Sequence, residues 1–319
     1  MPAPEASEVP VLGTPPSGLV AQRPKLTRVV SADVSVWRRM GDIWRSRELL
    51  IYLVRTEIKV KYKNSILGLV WSMIAPAMTL AIYFVVFQFI AKNGVPNFVI
   101  FLFSGLLIWN LFQVGVQSAT GVVVNNAGLV KKVSFPREIL ALASMGSASV
   151  FFFFQAIVMV IFMVVLHSSP DWAYLPLLPL ALLAVLVLGA GLAVLLSAVN
   201  VYLRDTQHLV EVLLTAWFWA CPIVYAFQSN IEAKLGPRGL TWVYFLNPIT
   251  PLVLSFQRAL YAHVVVENTV THTPMAILPF HGFGWYAALD AGVLAVGVVL
   301  CMFALVLFGR LEGNFAEEL

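Results

Sequence analysis

The sequence predicts an all-α polytopic membrane protein with six spanning helices, led by an amphipathic helix at the membrane surface. Three observations carry that class. Of 319 residues, 60% are hydrophobic and 11% charged, where a soluble domain carries roughly 45–50% and 25%. Apolar runs at 66–91, 98–124, 139–166, 175–199, 209–227 and 285–308 are each near or above the roughly 20 residues that cross a bilayer. With six spans drawn this way, sixteen Lys and Arg residues fall on one side and four on the other, which puts both termini in the cytoplasm.

The same composition excludes several classes. A net charge of +4 is too small an excess to argue for nucleic acid. Cys221 and Cys301 lie inside apolar runs and read as small buried apolar groups. No Cys or His spacing of a metal site occurs. The roughly 48 mostly polar residues ahead of the first apolar stretch do not resemble a secretory signal.

Residues 1–45 read as a cytoplasmic arm, largely disordered, with Pro10, Pro15, Pro16 and Pro24 breaking any helix. At 46–63 the pattern changes. Leu50, Leu53, Val54, Ile58 and Tyr62 fall on one helical face, and Arg55, Lys59 and Lys63 form a basic stripe. Glu57 is placed to pair with Lys61 one turn on. This fits a helix in the headgroup region, basic face toward anionic lipid; a solvated helix packed on the body is the alternative.

Between the second and third runs lies a short charged island at 128–138. It carries Lys131, Lys132, Arg137 and Glu138. Pro136 biases Phe135 away from helix and then suits the start of a new one, with Glu138 near its positive end. A loop built this way presents a short helix on the cytoplasmic side. Within the runs, Gly189, Ala193 and Ser197 make a small-residue face for close helix approach, as do the residues from Ala143 to Ser149. Phe151 to Phe154 point all round their helix, so they form no single binding face. Glu211 and Asp290 lie near run ends, within reach of headgroups or water.

The segment 228–284 falls on the external side. Within it, 249–261 is an apolar helical candidate after Asn247-Pro248, too short to span. It either dips into the outer interface or caps something between the spans. Trp242, Tyr244, Phe245, Phe256 and Tyr261 make the segment aromatic. Interfacial anchoring explains such rings; a surface for stacking sugars is the functional alternative.

No Gly-x-x-x-x-Gly-Lys-Ser/Thr phosphate loop, His-Glu-x-x-His site or Asp-x-Asp pair is present. Buried charges of the kind that ion-coupled transporters use are nearly absent from the runs. The chain is therefore not expected to be an enzyme, and energy for transport is expected from a partner.

Arg47-Glu48-Leu49-Leu50, followed by Arg55-Thr56-Glu57-Ile58-Lys59-Val60-Lys61-Tyr62-Lys63-Asn64-Ser65-Ile66-Leu67-Gly68, resembles the lead-in to the first span of type-2 ABC exporter permeases. The likeness is closest to the Wzm and teichoic-acid group, which exports polysaccharide. Lys131-Lys132-Val133-Ser134-Phe135-Pro136-Arg137-Glu138 resembles that group's loop between spans two and three. Asn200-Val201-Tyr202-Leu203-Arg204-Asp205 is similar to its next cytoplasmic loop. Leu246-Asn247-Pro248-Ile249-Thr250-Pro251 is similar to the stretch before its external gate helices, and the tail from Glu312 to Glu318 also fits.

The resemblance implies a homodimeric permease over residues 46–319, seated on two copies of a separate Wzt-like nucleotide-binding ATPase that binds ATP and Mg; this chain itself would hold no cofactor. It makes the island a coupling helix, with Val130, Lys131, Lys132, Phe135, Pro136, Arg137 and Glu138 at the ATPase contact. Arg204 and Asp205 would mark the second cytoplasmic loop, and Asn247, Pro248, Pro251 and Phe256 the external gate. Substrates would be polyprenyl-diphosphate-linked glycans of O-antigen, teichoic-acid or cell-wall galactan type. Trp71, Tyr83, Phe87, Trp109, Trp217 and Trp219 are candidate channel aromatics. A type-2 permease for a drug or another lipid is the alternative, and an integral-membrane glycosyltransferase or secondary transporter is a third.

Overall fold

The computed structural model describes residues 35–61, 63 and 70–319. The readings of the arm before Ser35, of Tyr62 on the apolar face and of 64–69 lie outside the described residues. Helix α1 (Val36–Arg45) runs into α2 (Arg47–Lys61) through Ser46. The end of the stretch read as a disordered arm is thus helical. The helix-breaking prolines stop at Pro24, and none falls within 36–45 to oppose a helix.

Helix α3 (Trp71–Phe84) contains Pro76 and passes directly into a π turn at Val85–Ile90. Then come α4 (Phe98–Asn125), α5 (Ala127–Lys132), α6 (Glu138–Val165), α7 (Leu177–Tyr202) and α8 (Thr206–Trp219). After a second π turn at Gln228–Glu232 follow α9 (Ala233–Leu235), α10 (Thr241–Tyr244), α11 (Ile249–Leu260), α12 (Phe283–Leu311) and α13 (Phe315–Glu318). Among the described residues, four helices are long and apolar enough to cross a membrane: α4, α6, α7 and α12.

The fifth expected span departs most from the reading. Its helix covers 14 residues, and 221–226 is unwound yet largely buried, with Cys221, Ile223 and Val224 inside the core. Pro222 has no N–H and disfavours helix at Cys221. Away from water the freed carbonyls need donors. Gln257 Nε2 donates to Pro222 O at 2.9 Å, and Asn247 Nδ2 to Ala220 O at 3.2 Å.

Those donors come from α11 and the turn before it. Ten of the twelve α11 residues are buried, against α4, α7 and α12. Of the two roles left open for this helix, capping between the spans is the one found. A small antiparallel hairpin follows, β1 (Val265–Glu267) on β2 (Pro274–Ala276), with Val266 opposite Met275. It is a minor departure from an all-α fold, and the β-branched run Val264-Val265-Val266 was its signal.

Helix α4 is the central pillar, with twenty of its 28 residues buried. Met145 of α6 fills the slot left by Gly115 on α4 and Gly189 on α7. Gly189, Ala193 and Ser197 are indeed buried. The closest backbone approach, however, uses other glycines. A Cβ on Gly297 of α12 would lie 2.9 Å from the Leu188 nitrogen, and one on Gly191 3.0 Å from the Cys301 nitrogen. Asp290 also corrects its reading. It sits seven residues into α12, about 10 Å along the axis, and is fully buried rather than at headgroups or water.

Candidate functional site

The island is built as a fixed base with a free tip. Helix α5 ends at Lys132, the chain extends through Val133, and α6 starts at Glu138 just after Pro136. Lys131, Lys132, Val133 and Ser134 are exposed, whereas Phe135, Pro136 and Arg137 are half-buried. Val130 and Glu138 are buried. These two shape the island from inside and do not form its outer face.

An ionic knot holds the base. The Glu138 carboxylate is paired with the Arg39 guanidinium of α1, and Arg39 also donates to Glu312 Oε2 at 3.1 Å. Arg137 Nη1 donates to the Glu312 carbonyl at 2.8 Å, and its guanidinium lies 5.8 Å over the Phe315 ring. Phe315 is buried against Phe308 and Tyr202, whose hydroxyl donates to Leu311 O at 2.7 Å. The knot joins α1, the island and the end of α12. Sequence reading missed Arg39 and Glu312, because their partners are far away along the chain.

Helix α2 lies against α6. A Cβ on Gly146 would come within 2.7 Å of Val54 Cγ2, so the small-residue stretch at the start of α6 is the seat for α2. Glu57 does not use Lys61 as its hydrogen-bonding partner. Its carboxylate accepts from Ser144 Oγ at 3.0 Å and from Ser147 Oγ, while Lys61 Nζ sits 4.2 Å over the Phe151 ring. Burial lowers the Lys61 pKa, with Glu57 opposing. A cavity of about 240 Å³ opens here, lined by Glu57, Lys61, Ser118, Asn125 and Asn126. Arg55, Lys59 and Lys63 are exposed. So are Arg204 and Asp205, in a turn closed by Gln207 N–H donating to Asn200 Oδ1 at 3.2 Å.

Five of the six candidate aromatics form one network. Phe218, which the sequence did not single out, stacks on Tyr83 at 5.8 Å and meets Trp109 and Trp219 edge-on at 5.7 and 5.4 Å. Phe112 bridges Trp109 to Trp217, and Phe87 joins through Tyr83. Trp109 is 1% exposed, so its ring is core. Trp219 and Trp71 are half exposed, and Tyr83, Phe87 and Trp217 intermediate. Trp71 has no ring contact in this network.

At the other end, Asn247 is a clasp. Its Oδ1 accepts from Trp217 Nε1 at 2.8 Å and from Ile249 N–H at 3.0 Å, while Nδ2 reaches Ala220 O and Cys221 Sγ. Pro248 sits at the cap of α11. Pro251 and Phe256 are buried, Phe256 edge-on to Phe152 at 6.2 Å. Asn247→Ala strands these groups and is expected to cost about 1–3 kcal/mol, read as a lower thermal midpoint of the purified protein; an unchanged midpoint contradicts the clasp.

The family described as ABC-2 type transporter matches residues 48–261. The chain is 32% identical over 226 residues to the O-antigen export system permease protein RfbA of Myxococcus xanthus, covering 71% of this chain and 85% of that protein. It is 25% identical over 272 residues to a protein of the same name from Klebsiella pneumoniae, covering 85% and 95%. A helical bundle that matches over its lead-in helix, island and α11, and has relatives along most of its length, leaves one assignment: the chain belongs to the ABC-2 type transporter family.

Proposed function

We propose that this chain is the membrane subunit of an ATP-driven exporter that moves polyprenyl-diphosphate-linked polysaccharide from the cytoplasm across the plasma membrane. The observation that carries it is the similarity to O-antigen export permeases over 85% of the chain. Family membership implies an ATPase partner and a membrane location. The excess of Lys and Arg at the island end supports placing that end, with both termini, in the cytoplasm.

The rest follows from the chain's own residues. Lys131, Lys132, Val133, Ser134 and the edge of Phe135 face a Wzt-like ATPase that binds ATP and Mg, with Arg204 and Asp205 exposed beside it. The knot of Arg39, Arg137, Glu138 and Glu312 carries the push from that contact into α1, α6 and α12. Arg55, Lys59 and Lys63 face anionic headgroups. Two copies enclose the path. The apolar face of α8, with Leu209, Val212 and Leu213 all more than 60% exposed, is the surface for the second copy. Tyr83, Trp217 and Trp219 offer rings to successive sugars, and Trp109 and Phe218 support them from behind.

The test is purification from the native membrane under mild detergent. An ATPase subunit is expected to accompany the chain in equal amount. Recovery of the chain alone, with no nucleotide-binding partner in cross-linked membranes either, contradicts the proposal.

A further inference from the structure

At the end of the bundle away from the island lies a cleft of about 560 Å³, within the roughly 300–1,000 Å³ of small-ligand sites. Three segments build it: the π turn Gln228–Glu232, α10 with the residues after it, and the stretch from Pro279 into α12. Trp242, Phe245, Phe280 and Trp285 supply rings, and Gln228, Glu232 and Thr241 supply polar groups. Trp242 and Phe280 are 61% and 63% exposed, so their rings are available.

The walls are held in place. The buried Tyr286 hydroxyl donates to Pro279 O at 3.0 Å, and Tyr174 OH reaches His281 O at 3.4 Å. Tyr174 is itself fixed beneath Arg258, 3.7 Å from its ring, and Arg258 is bonded to Asp171 at 2.7 Å. His281 stacks on Trp285 at 4.3 Å, and Phe245 meets Trp285 edge-on at 5.4 Å. Gln228 N–H donates to Ile277 O at 3.1 Å, anchoring the π turn. A Cβ on Gly236 would lie 2.9 Å from Glu232 Oε1, so the glycine leaves room for that carboxylate.

The pairing of rings with interleaved acceptors and donors selects the occupant. A pyranose presents C–H groups on its faces and hydroxyls round its rim. The faces suit the rings, and the rim suits a carboxylate, an amide and a hydroxyl. An acyl chain in the same place would strip water from Glu232, Gln228 and Thr241 and return no hydrogen bond. We propose that this cleft is a glycan-binding subsite, taking a few sugar residues of the exported chain as it leaves the membrane. The proposal rests on the export reading and on the orientation that puts this end outside.

The test places p-benzoylphenylalanine at position 280 of the full chain, in cells that hold the ATPase, and irradiates them. Position 280 is exposed, so the substitution leaves the core intact. The expected product is chain cross-linked to polysaccharide, seen as a periodate-sensitive smear. Adding Trp285→Ala or Glu232→Ala should lower its yield by about two- to tenfold, the effect of losing one such contact. An adduct to phospholipid alone, identified by mass, overturns the subsite in favour of lipid anchoring. No adduct while glycan still reaches the surface overturns the subsite and leaves the export reading standing. Surface glycan that persists after deletion of the chain overturns both.

Discussion

Arg39→Ala is expected to destabilise the protein by about 3 kcal/mol, the low end of the range for removing one partner of a buried ion pair. The Glu138 side chain is 1% exposed and that of Arg39 16%, so removal of the guanidinium leaves a carboxylate in the core facing Glu312. Replacing the charge at the other end offsets much of this. Arg39→Ala combined with Glu138→Gln should recover stability relative to Arg39→Ala alone, giving a coupling energy well above the scatter for independent sites. The measurement is the thermal midpoint of the purified chain for the two single variants and the double. Strict additivity sinks the knot. Because the island's base hangs on this pair, Arg39→Ala should also loosen the proposed ATPase contact, although Arg39 is remote from the island in sequence.

The second large effect concerns the tip. Lys131→Glu with Lys132→Glu is expected to abolish most export while leaving membrane insertion and thermal midpoint unchanged, since both side chains are exposed and neither belongs to the knot. Arg137 is left out of this variant on purpose, because reversing it breaks the bonds to Glu312 and confuses coupling with folding. Phe135→Ala is expected to weaken ATPase binding separately, since the outer edge of this half-buried ring belongs to the proposed contact. The readouts are surface glycan and ATPase activity of the intact complex. Full export by the double variant would remove the island from the contact with the ATPase.

The helices α4, α6, α7 and α12 were legible because length and hydropathy alone specify them. The island was legible too, since Pro136 and the cluster of charge mark a chain reversal. The fifth span was not. Cys221, Ile223 and Val224 are as apolar as a helix needs, and hydropathy reports the solvent a residue prefers rather than whether its backbone is wound. Pro222 was the available signal, and its rescue by Asn247 and Gln257 lies more than 25 residues away. Glu57 was legible in part: its charge acts on Lys61 as expected, but its hydrogen bonds go elsewhere. The local rule offered Lys61 four residues on, but the hydroxyls of Ser144 and Ser147, brought in by α6, took the carboxylate. Among the site aromatics, spacing separated neither Trp109, which is core, from Trp219, which is half exposed, nor revealed Phe218 between them. Exposure is decided by the packing of α4 against α8, which no single helix encodes.

Export by this chain is tested most directly by following lipid-linked glycan after its depletion. With synthesis upstream intact, polyprenyl-diphosphate-linked polysaccharide is expected to accumulate on the cytoplasmic face while the surface loses it. Glycan that ceases to be made, or that still reaches the surface at its normal level, would contradict a role for this chain in export.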